Sequence, residues 1–267
     1  MKKHLLPLFL LAFASLLGAC SRTEADYLIT GALVYDGTMS EPRVMDVAIH
    51  QDRIVYVGKK GDARVAASNR IDASGLVMAP GFIDPHTHAL ADLNSTTDRS
   101  LQAWLWQGVT TVFEGNDGSG PYPIGETLEH WAAQGIGVNA GLFVGHGTVR
   151  RMVMGPEDRH ATTDELTAMQ DLVVRAMEEG AFGLSSGLFY SPGSFAPTTE
   201  VIALAGVAAA YGGIYDTHMR DEGSYGIGLL ASVKETIEIG EQAGIPVHIS
   251  HIKALGRGVW GASEEVI

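Results

Sequence analysis

Cysteine is nearly absent from this chain, and its scarcity excludes disulfides as a source of stability. The 267 residues contain one cysteine, Cys20, so no bridge can form within the chain. Basic residues are also few: 18 Lys and Arg stand against 31 Asp and Glu, a formal net charge of −13. A surface this acidic repels phosphates, which argues against nucleic acid as a partner.

Long hydrophobic runs are missing except at the N-terminus. Residues 1–20 read MKKHLLPLFLLAFASLLGAC, with two lysines, an apolar stretch and small residues at the end. This pattern is typical of a secretory signal peptide. LGAC resembles a bacterial lipobox, whose cysteine carries a lipid, although an ordinary signal with a chance cysteine is the alternative. We expect an exported protein, periplasmic or held at the outer membrane of a bacterium by lipid on Cys20, with Ser21 favouring the outer membrane.

The order of strands and helices predicts two domains after the signal peptide. Residues 21–78 contain short alternating strands and a hairpin signal at Gln51–Asp52, which predicts a small β module. In residues 79–267, six apolar strand-like runs alternate with helical stretches, expected at about 94–107, 123–134, 162–179, 198–211 and 224–243. Such alternation is typical of a parallel sheet, either doubly wound or closed into a (β/α)8 barrel. No GxGxxG follows the first strand, which argues against a dinucleotide fold.

Polar side chains recur immediately after these strands. In chain order they are Asp84, His86 and His88; Glu114, Asn116 and Asp117; His146; His218, Arg220 and Asp221; and His248, His251 and Lys253. Barrel active sites form at the carboxyl ends of the strands, and residues two apart on a strand point the same way. Four of six strands are followed by histidine, which is hard to explain by scattered structural histidines. The pattern predicts a metal hydrolase centre, in which a divalent ion activates water and polarises a carbonyl.

Six sequence blocks together resemble one known family. In order they are PGFIDPHTH, GVTTVFEGNDG, VGHGTVR, GLSSGLFYSPG, THMRDEG and HISHIK. They are similar to the N-acyl-D-amino-acid deacylases, or D-aminoacylases, of the metal-dependent amidohydrolase superfamily, over about residues 27–260. The resemblance implies a (β/α)8 TIM-type barrel preceded by a small N-terminal β-sandwich. It also implies hydrolysis of N-acyl-D-amino acids to a carboxylate and a free D-amino acid, with one or two divalent ions, zinc above all.

The resemblance further implies metal ligands. His86 and His88 match the pair that binds the more exposed ion. His218 and His251 match ligands of the tightly bound ion. His251 is preferred to His248 because it matches the Ser-His-x-Lys block, which leaves His248 with a structural role.

Three residues are expected to bind the substrate, a small N-acyl amino acid that is the only partner expected besides the lipid anchor. Tyr190 matches a tyrosine near the substrate carboxylate. His146 lies close to the site in the family pattern, and a structural role for it is equally open. Arg220 follows a strand beside the expected site.

The chain departs from the family pattern in two ways. Many D-aminoacylases have a bridging cysteine where this chain has Asp117, and Glu114 is a second candidate that we slightly prefer because a strand end points more rigidly. The sequence also contains six strand-like runs, where a (β/α)8 barrel has eight strands. The resemblance implies that the catalytic aspartate and the substrate-binding arginine lie beyond residue 267. We therefore expect a longer protein, of which this part alone folds poorly and is inactive.

Other functions remain open. A dipeptidase, a cyclic amidase or a deaminase would keep the superfamily and change the substrate. Cyclic amidases mostly use a carboxylated lysine after the fourth strand, and GAFGLSSGLFY contains none. A non-catalytic, ligand-binding surface lipoprotein is the third possibility.

Overall fold

The structure is a computed structural model that describes residues 23–61 and 65–267. It divides into two compact units, one ending at Pro80 and one spanning Gly81–Ile267. The predicted signal peptide and Cys20 lie outside the described residues. Within the described ranges, no helix is long and apolar enough to cross a membrane.

The first unit is a five-stranded sheet. Its strands are β1 (Thr23–Val34), β2 (Arg43–His50), β3 (Arg53–Lys59), β4 (Val65–Asp72) and β5 (Val77–Met78). Strands β2 and β3 form an antiparallel hairpin at the predicted turn, whereas β4 and β5 both run parallel to β1. Neighbouring residues such as Val47 and Ala48 belong to separate apolar clusters because successive side chains alternate faces. The described strands of this unit form one sheet, not the two facing sheets of a sandwich.

The second unit contains a six-stranded parallel sheet. Its strands are β6 (Phe82–Asp84), β7 (Val109–Glu114), β8 (Asn139–Gly145), β9 (Gly183–Gly187), β10 (Ile214–His218) and β11 (Val247–Ile249). Their number matches the six strand-like runs expected in residues 79–267, and they pair in strict chain order from β6 to β11. A doubly wound sheet would reverse its strand order at a switch point, whereas a barrel does not.

The sheet is also strongly curled. His86 follows β6 and Ser250 follows β11, at opposite ends of the strand order, yet His86 Nδ1 lies 2.7 Å from Ser250 Oγ. A flat sheet cannot bring these ends together. The second unit is therefore a partial (β/α)8-type barrel, as predicted.

Eight α-helices are described around this sheet. They are α1 (Leu90–Leu93), α2 (Gln102–Leu105), α3 (Ile124–Gln134), α4 (His146–Met154), α5 (Thr163–Glu178), α6 (Thr198–Ala210), α7 (Leu229–Ala243) and α8 (Ser263–Val266). Side chains from α3 to α7 pack on the strands in one continuous apolar core. This packing fixes the strand ends that carry the polar residues.

Three helix predictions differ from the structure. Within the helix expected at 94–107 only the short α2 forms, and α1 ends just before that range, because Ser95 and its neighbours hydrogen-bond locally between the two. Helix α4 was not predicted. Helix α7 begins later than expected because the Asp221 carboxylate accepts backbone N–H bonds from Gly223, Gly226 and Gly228, which hold a loop.

Candidate metal centre

Four histidines surround one carboxylate at the carboxyl ends of the strands. Asp117 Oδ1 lies 3.6 Å from His86 Nε2, 3.5 Å from His218 Nδ1 and 3.8 Å from His251 Nε2. The other oxygen, Oδ2, lies 3.4 Å from His88 Nε2. The two oxygens of Asp117 thus face different histidines, as in a carboxylate that bridges two metal positions.

Burial and neighbouring charges shift the pKa values of Asp117 and His86 toward the forms that bind a cation. Burial alone would raise the pKa of Asp117, but the close approach of His218 and the charges of the nearby histidines outweigh that effect and leave the pKa below its ordinary value. Burial lowers the pKa of His86 despite two neighbouring carboxylates. An ionised carboxylate and neutral imidazoles are the forms that bind metal.

Two buried atoms at this centre have no hydrogen-bond partner among the described residues. They are His86 Nε2 and Asp117 Oδ1. Buried polar atoms are nearly always satisfied, so two unpaired ones facing each other call for a ligand. A divalent cation satisfies both, and nitrogen plus carboxylate oxygen suits zinc. The residues therefore fit the ion that the sequence predicted.

Glu222 extends the centre and was not singled out from the sequence. Its Oε1 lies 2.9 Å from His251 Nδ1, and its Oε2 lies 3.7 Å from His218 Nε2. Lys253 Nζ lies 2.6 Å from Glu222 and balances its charge. Glu222, His218 and His251 form a second set of possible ligands beside the set of His86, Asp117 and His251. Its place four residues after His218, beyond a strand end, was the available signal.

The backbone at two of these residues is unusual. Asp117 has φ 56° and His251 has φ 34°, both in the left-handed region that non-glycine residues rarely occupy. Asp117 is followed by Gly118, where a Cβ would lie 2.7 Å from the backbone nitrogen of Gly187. Such strained conformations persist where surrounding structure enforces them, commonly at functional sites.

The structure brings Asp117 and not Glu114 to the histidines, which corrects the preference drawn from the sequence. Glu114 is buried, and its Oε1 accepts hydrogen bonds from Thr87 Oγ1 at 2.5 Å and from the Ala89 N–H at 2.7 Å. Burial raises its pKa. Glu114 holds the loop that carries His86 and His88, and it belongs to neither set of possible metal ligands.

Tyr190 reaches the centre. Its hydroxyl lies 3.5 Å from His218 Nδ1, and the two ring centroids are 4.7 Å apart. Tyr190 and Asp117 line one cleft of about 210 Å³, together with Arg151 and several glycines. A small ligand in this cleft would contact both the carboxylate and the phenol.

His146 and Arg220 make internal contacts, which favours the structural role left open for His146 and differs from the substrate-binding role expected of Arg220. His146 begins α4, is fully buried and places Nε2 2.9 Å from Glu200, which also pairs with Arg150. Arg220 donates to both carboxylate oxygens of Glu235 and to the carbonyl oxygens of residues 194 and 196. These contacts engage Nε2 of His146 and the guanidinium of Arg220, whereas His146 Nδ1 has no hydrogen-bond partner among the described residues.

The fold and the site define a metal-dependent hydrolase class, and comparison with known proteins gives its family. The amidohydrolase family profile matches residues 70–262. The chain belongs to the amidohydrolase family.

The similar proteins include D-aminoacylases and related deacylases. A D-aminoacylase of Alcaligenes xylosoxydans xylosoxydans is 39% identical over 265 residues, covering 91% of this chain and 53% of that protein. A solved D-aminoacylase with a binuclear metal centre superposes with TM-score 0.82 and 38% identity, over 90% of this chain and 54% of its own. The chain spans about half the length of the curated relatives it matches.

A second solved structure contains a metal and an inhibitor. It is the N-acyl-D-glutamate deacylase of Bordetella bronchiseptica with zinc and a phosphonate that mimics the tetrahedral intermediate. Its TM-score is 0.83 at 33% identity, over 91% of this chain and 54% of its own.

Proposed function

We propose that the protein hydrolyses the amide bond of N-acyl-D-amino acids, releasing a carboxylate and a free D-amino acid. The observation that carries this proposal is the cluster of four histidines around Asp117, on a chain similar to D-aminoacylases across most of its length. The similar N-acyl-D-aspartate and N-acyl-D-glutamate deacylases support the same substrate class.

We propose that the cluster holds one or two divalent ions, zinc above all, which supply an activated water and a Lewis acid for the amide carbonyl. Asp117 and the histidines would hold the metal, with His86 and His218 largely buried and His88 exposed to solvent. Tyr190 forms one wall of the adjoining cleft, where its hydroxyl can donate a hydrogen bond to the substrate. An acyl amino acid in this cleft would contact Asp117 and Tyr190, both of which lie next to His218.

The test compares mirror-image substrates. The native-length protein, loaded with zinc, is given matched N-acetyl-D- and N-acetyl-L-amino acids, and the free amino group is measured. We expect release from the D series and not from the L series. No release from either series, with zinc bound, would contradict the proposal.

A charge-matched variant controls for contaminating enzymes. His218→Gln removes a candidate ligand without adding charge, and we expect it to abolish release. The exposed, distant His160→Gln is expected to leave release unchanged. Equal activity in both variants would show that the activity does not arise at this centre.

We also propose that the protein is exported and lipid-anchored through Cys20. The basic start, the apolar run and LGAC support this proposal. Cells fed an alkyne-tagged fatty acid should label the wild type and not Cys20→Ser. Equal labelling of the two would contradict it.

A further inference from the structure

A buried carboxylate and a hydroxyl lie behind His86, on the side away from Asp117. Ser250 Oγ is 2.7 Å from His86 Nδ1 and donates to Asp216 Oδ1 over 2.7 Å. His248 Nδ1 lies 2.6 Å from the same oxygen of Asp216. Asp216 and Ser250 are both fully buried. Nothing in the proposed deacylation uses this chain of hydrogen bonds directly.

The sheet itself produces this arrangement. Asp216 precedes His218 by two residues on β10, so both side chains point to the same face. Asp216 pairs in register with His248 on β11, and Ser250 is two residues beyond His248. The Ser250 N–H donates to the Thr217 carbonyl, which continues the pairing one step past the strand. The Ser250 hydroxyl therefore lies between the Asp216 carboxylate and the His86 imidazole.

The direction of the hydrogen bonds follows from the supply of protons. A carboxylate only accepts, and a serine hydroxyl has one proton to donate. Because Ser250 donates that proton to Asp216, its oxygen must accept from His86 Nδ1. His86 then carries its ring proton on Nδ1 and presents the lone pair of Nε2, 3.6 Å from Asp117 Oδ1. The second oxygen of Asp216, unpaired among the described residues, lies 3.8 Å from His86 Nδ1 and favours the same proton position.

We propose that Asp216 and Ser250 form a relay that fixes the orientation and tautomer of His86, so that Nε2 is ready to bind the metal. The relay makes Ser250 and Asp216 positioning residues, since neither touches substrate or metal. Partners of this kind commonly change metal affinity by about 10- to 100-fold. The inference rests on the proposed metal centre, but the proton position can be tested without metal or substrate.

The first test determines directly which ring nitrogen of His86 carries the proton. The native-length protein is labelled with ¹⁵N in its histidine rings, stripped of metal, and examined by NMR, with His86→Gln used to assign the His86 signals. We expect the proton of the neutral His86 ring on Nδ1 in the wild type. In Ser250→Ala we expect the Nε2–H tautomer to become populated. A wild-type ring with its proton on Nε2 would overturn the proposal.

The second test measures zinc binding by competition with a chelator. We expect Ser250→Ala to weaken affinity by about 10- to 100-fold, while Ser250→Thr, which keeps the hydroxyl, restores most of it. Ser186→Ala is the matched control, since Ser186 is a buried strand serine whose hydroxyl contacts Tyr215 and Thr217 instead. Wild-type affinity in Ser250→Ala, or an equal loss in Ser186→Ala, would contradict the relay.

The outcomes separate the relay from the proposed function. If the tautomer and the zinc affinities are as expected but no N-acyl-D-amino acid is hydrolysed, the deacylase proposal fails and the relay stands. If hydrolysis occurs while the His86 proton is on Nε2, only the relay fails.

Discussion

Asp117 is the residue on which the candidate metal centre depends. Its two oxygens face four histidine rings between them, and its backbone is held in a left-handed conformation to do so. Losing a residue that only hydrogen-bonds to a metal ligand typically weakens metal binding by roughly 10- to 100-fold. We expect Asp117→Asn to weaken zinc binding by more than this, because the asparagine amide has no charge and one acceptor oxygen fewer than the carboxylate. Chelator competition measures the change.

Glu114→Gln is the matched comparison for that variant. Its amide oxygen can still accept the two hydrogen bonds from Thr87 and Ala89, so we expect zinc affinity close to that of the wild type. If Glu114→Gln lost zinc and Asp117→Asn kept it, the sequence-based preference would be right and the geometry misread.

At the scale of single residues, the sequence predicted which residue types form the site better than it predicted where each side chain points. The histidines could be found because each follows an apolar strand run, and the structure brings His86, His88, His218 and His251 together. Choosing between Glu114 and Asp117 depended on the turn through Gly115 and Gly118, where both glycines have positive φ. Arg220 could not be judged, because Glu235 lies 15 residues away along the chain on a helix whose rotation the sequence does not show.

Helix α5 shows what local sequence determines at the scale of one element. Thr162 and Glu165 form a reciprocal capping box, with Thr162 Oγ1 accepting from the Glu165 N–H and Glu165 Oε2 accepting from the Thr162 N–H. We expect Thr162→Ala to lower the free energy of unfolding by about 1 kcal/mol, because an orphan N–H loses its acceptor. Urea denaturation followed by circular dichroism measures the loss.

Thr163→Ala provides the control for the cap. Thr163 is the first helical residue and has no capping role. We expect a change within about 0.5 kcal/mol, as for ordinary surface substitutions. A larger loss from Thr163→Ala than from Thr162→Ala would contradict the observed cap.

The strands were predictable and some helices were not, for a physical reason. A short apolar run is typical of a parallel strand covered on both faces, and the central strands β9 and β10 are buried along almost their whole length. Helix α4 begins at His146 immediately after β8, includes Gly147 and has two arginines at its centre, so it lacks a capping residue and an obvious apolar stripe. Its buried Arg150 is compensated by Glu200, a contact that only the tertiary structure provides.

At the scale of the whole molecule, curling the sheet is what creates the site. Residues from His86 to His251 come from the two ends of the strand order and from strands between them, and only a curled sheet lets their carboxyl ends converge. The sequence predicted this convergence from strand–helix alternation and the polar residues after the strands. Asp216 and Ser250, which lie behind His86, needed the register of β10 and β11 to be found.

The central claim is that this centre binds a metal that drives hydrolysis of N-acyl-D-amino acids. The most direct measurement is turnover of an N-acetyl-D-amino acid by the native-length protein before metal removal, after removal by a chelator, and after zinc is restored. We predict that turnover is lost with the metal and returns with it. Turnover that survives complete metal removal, or none with zinc bound, would contradict the account.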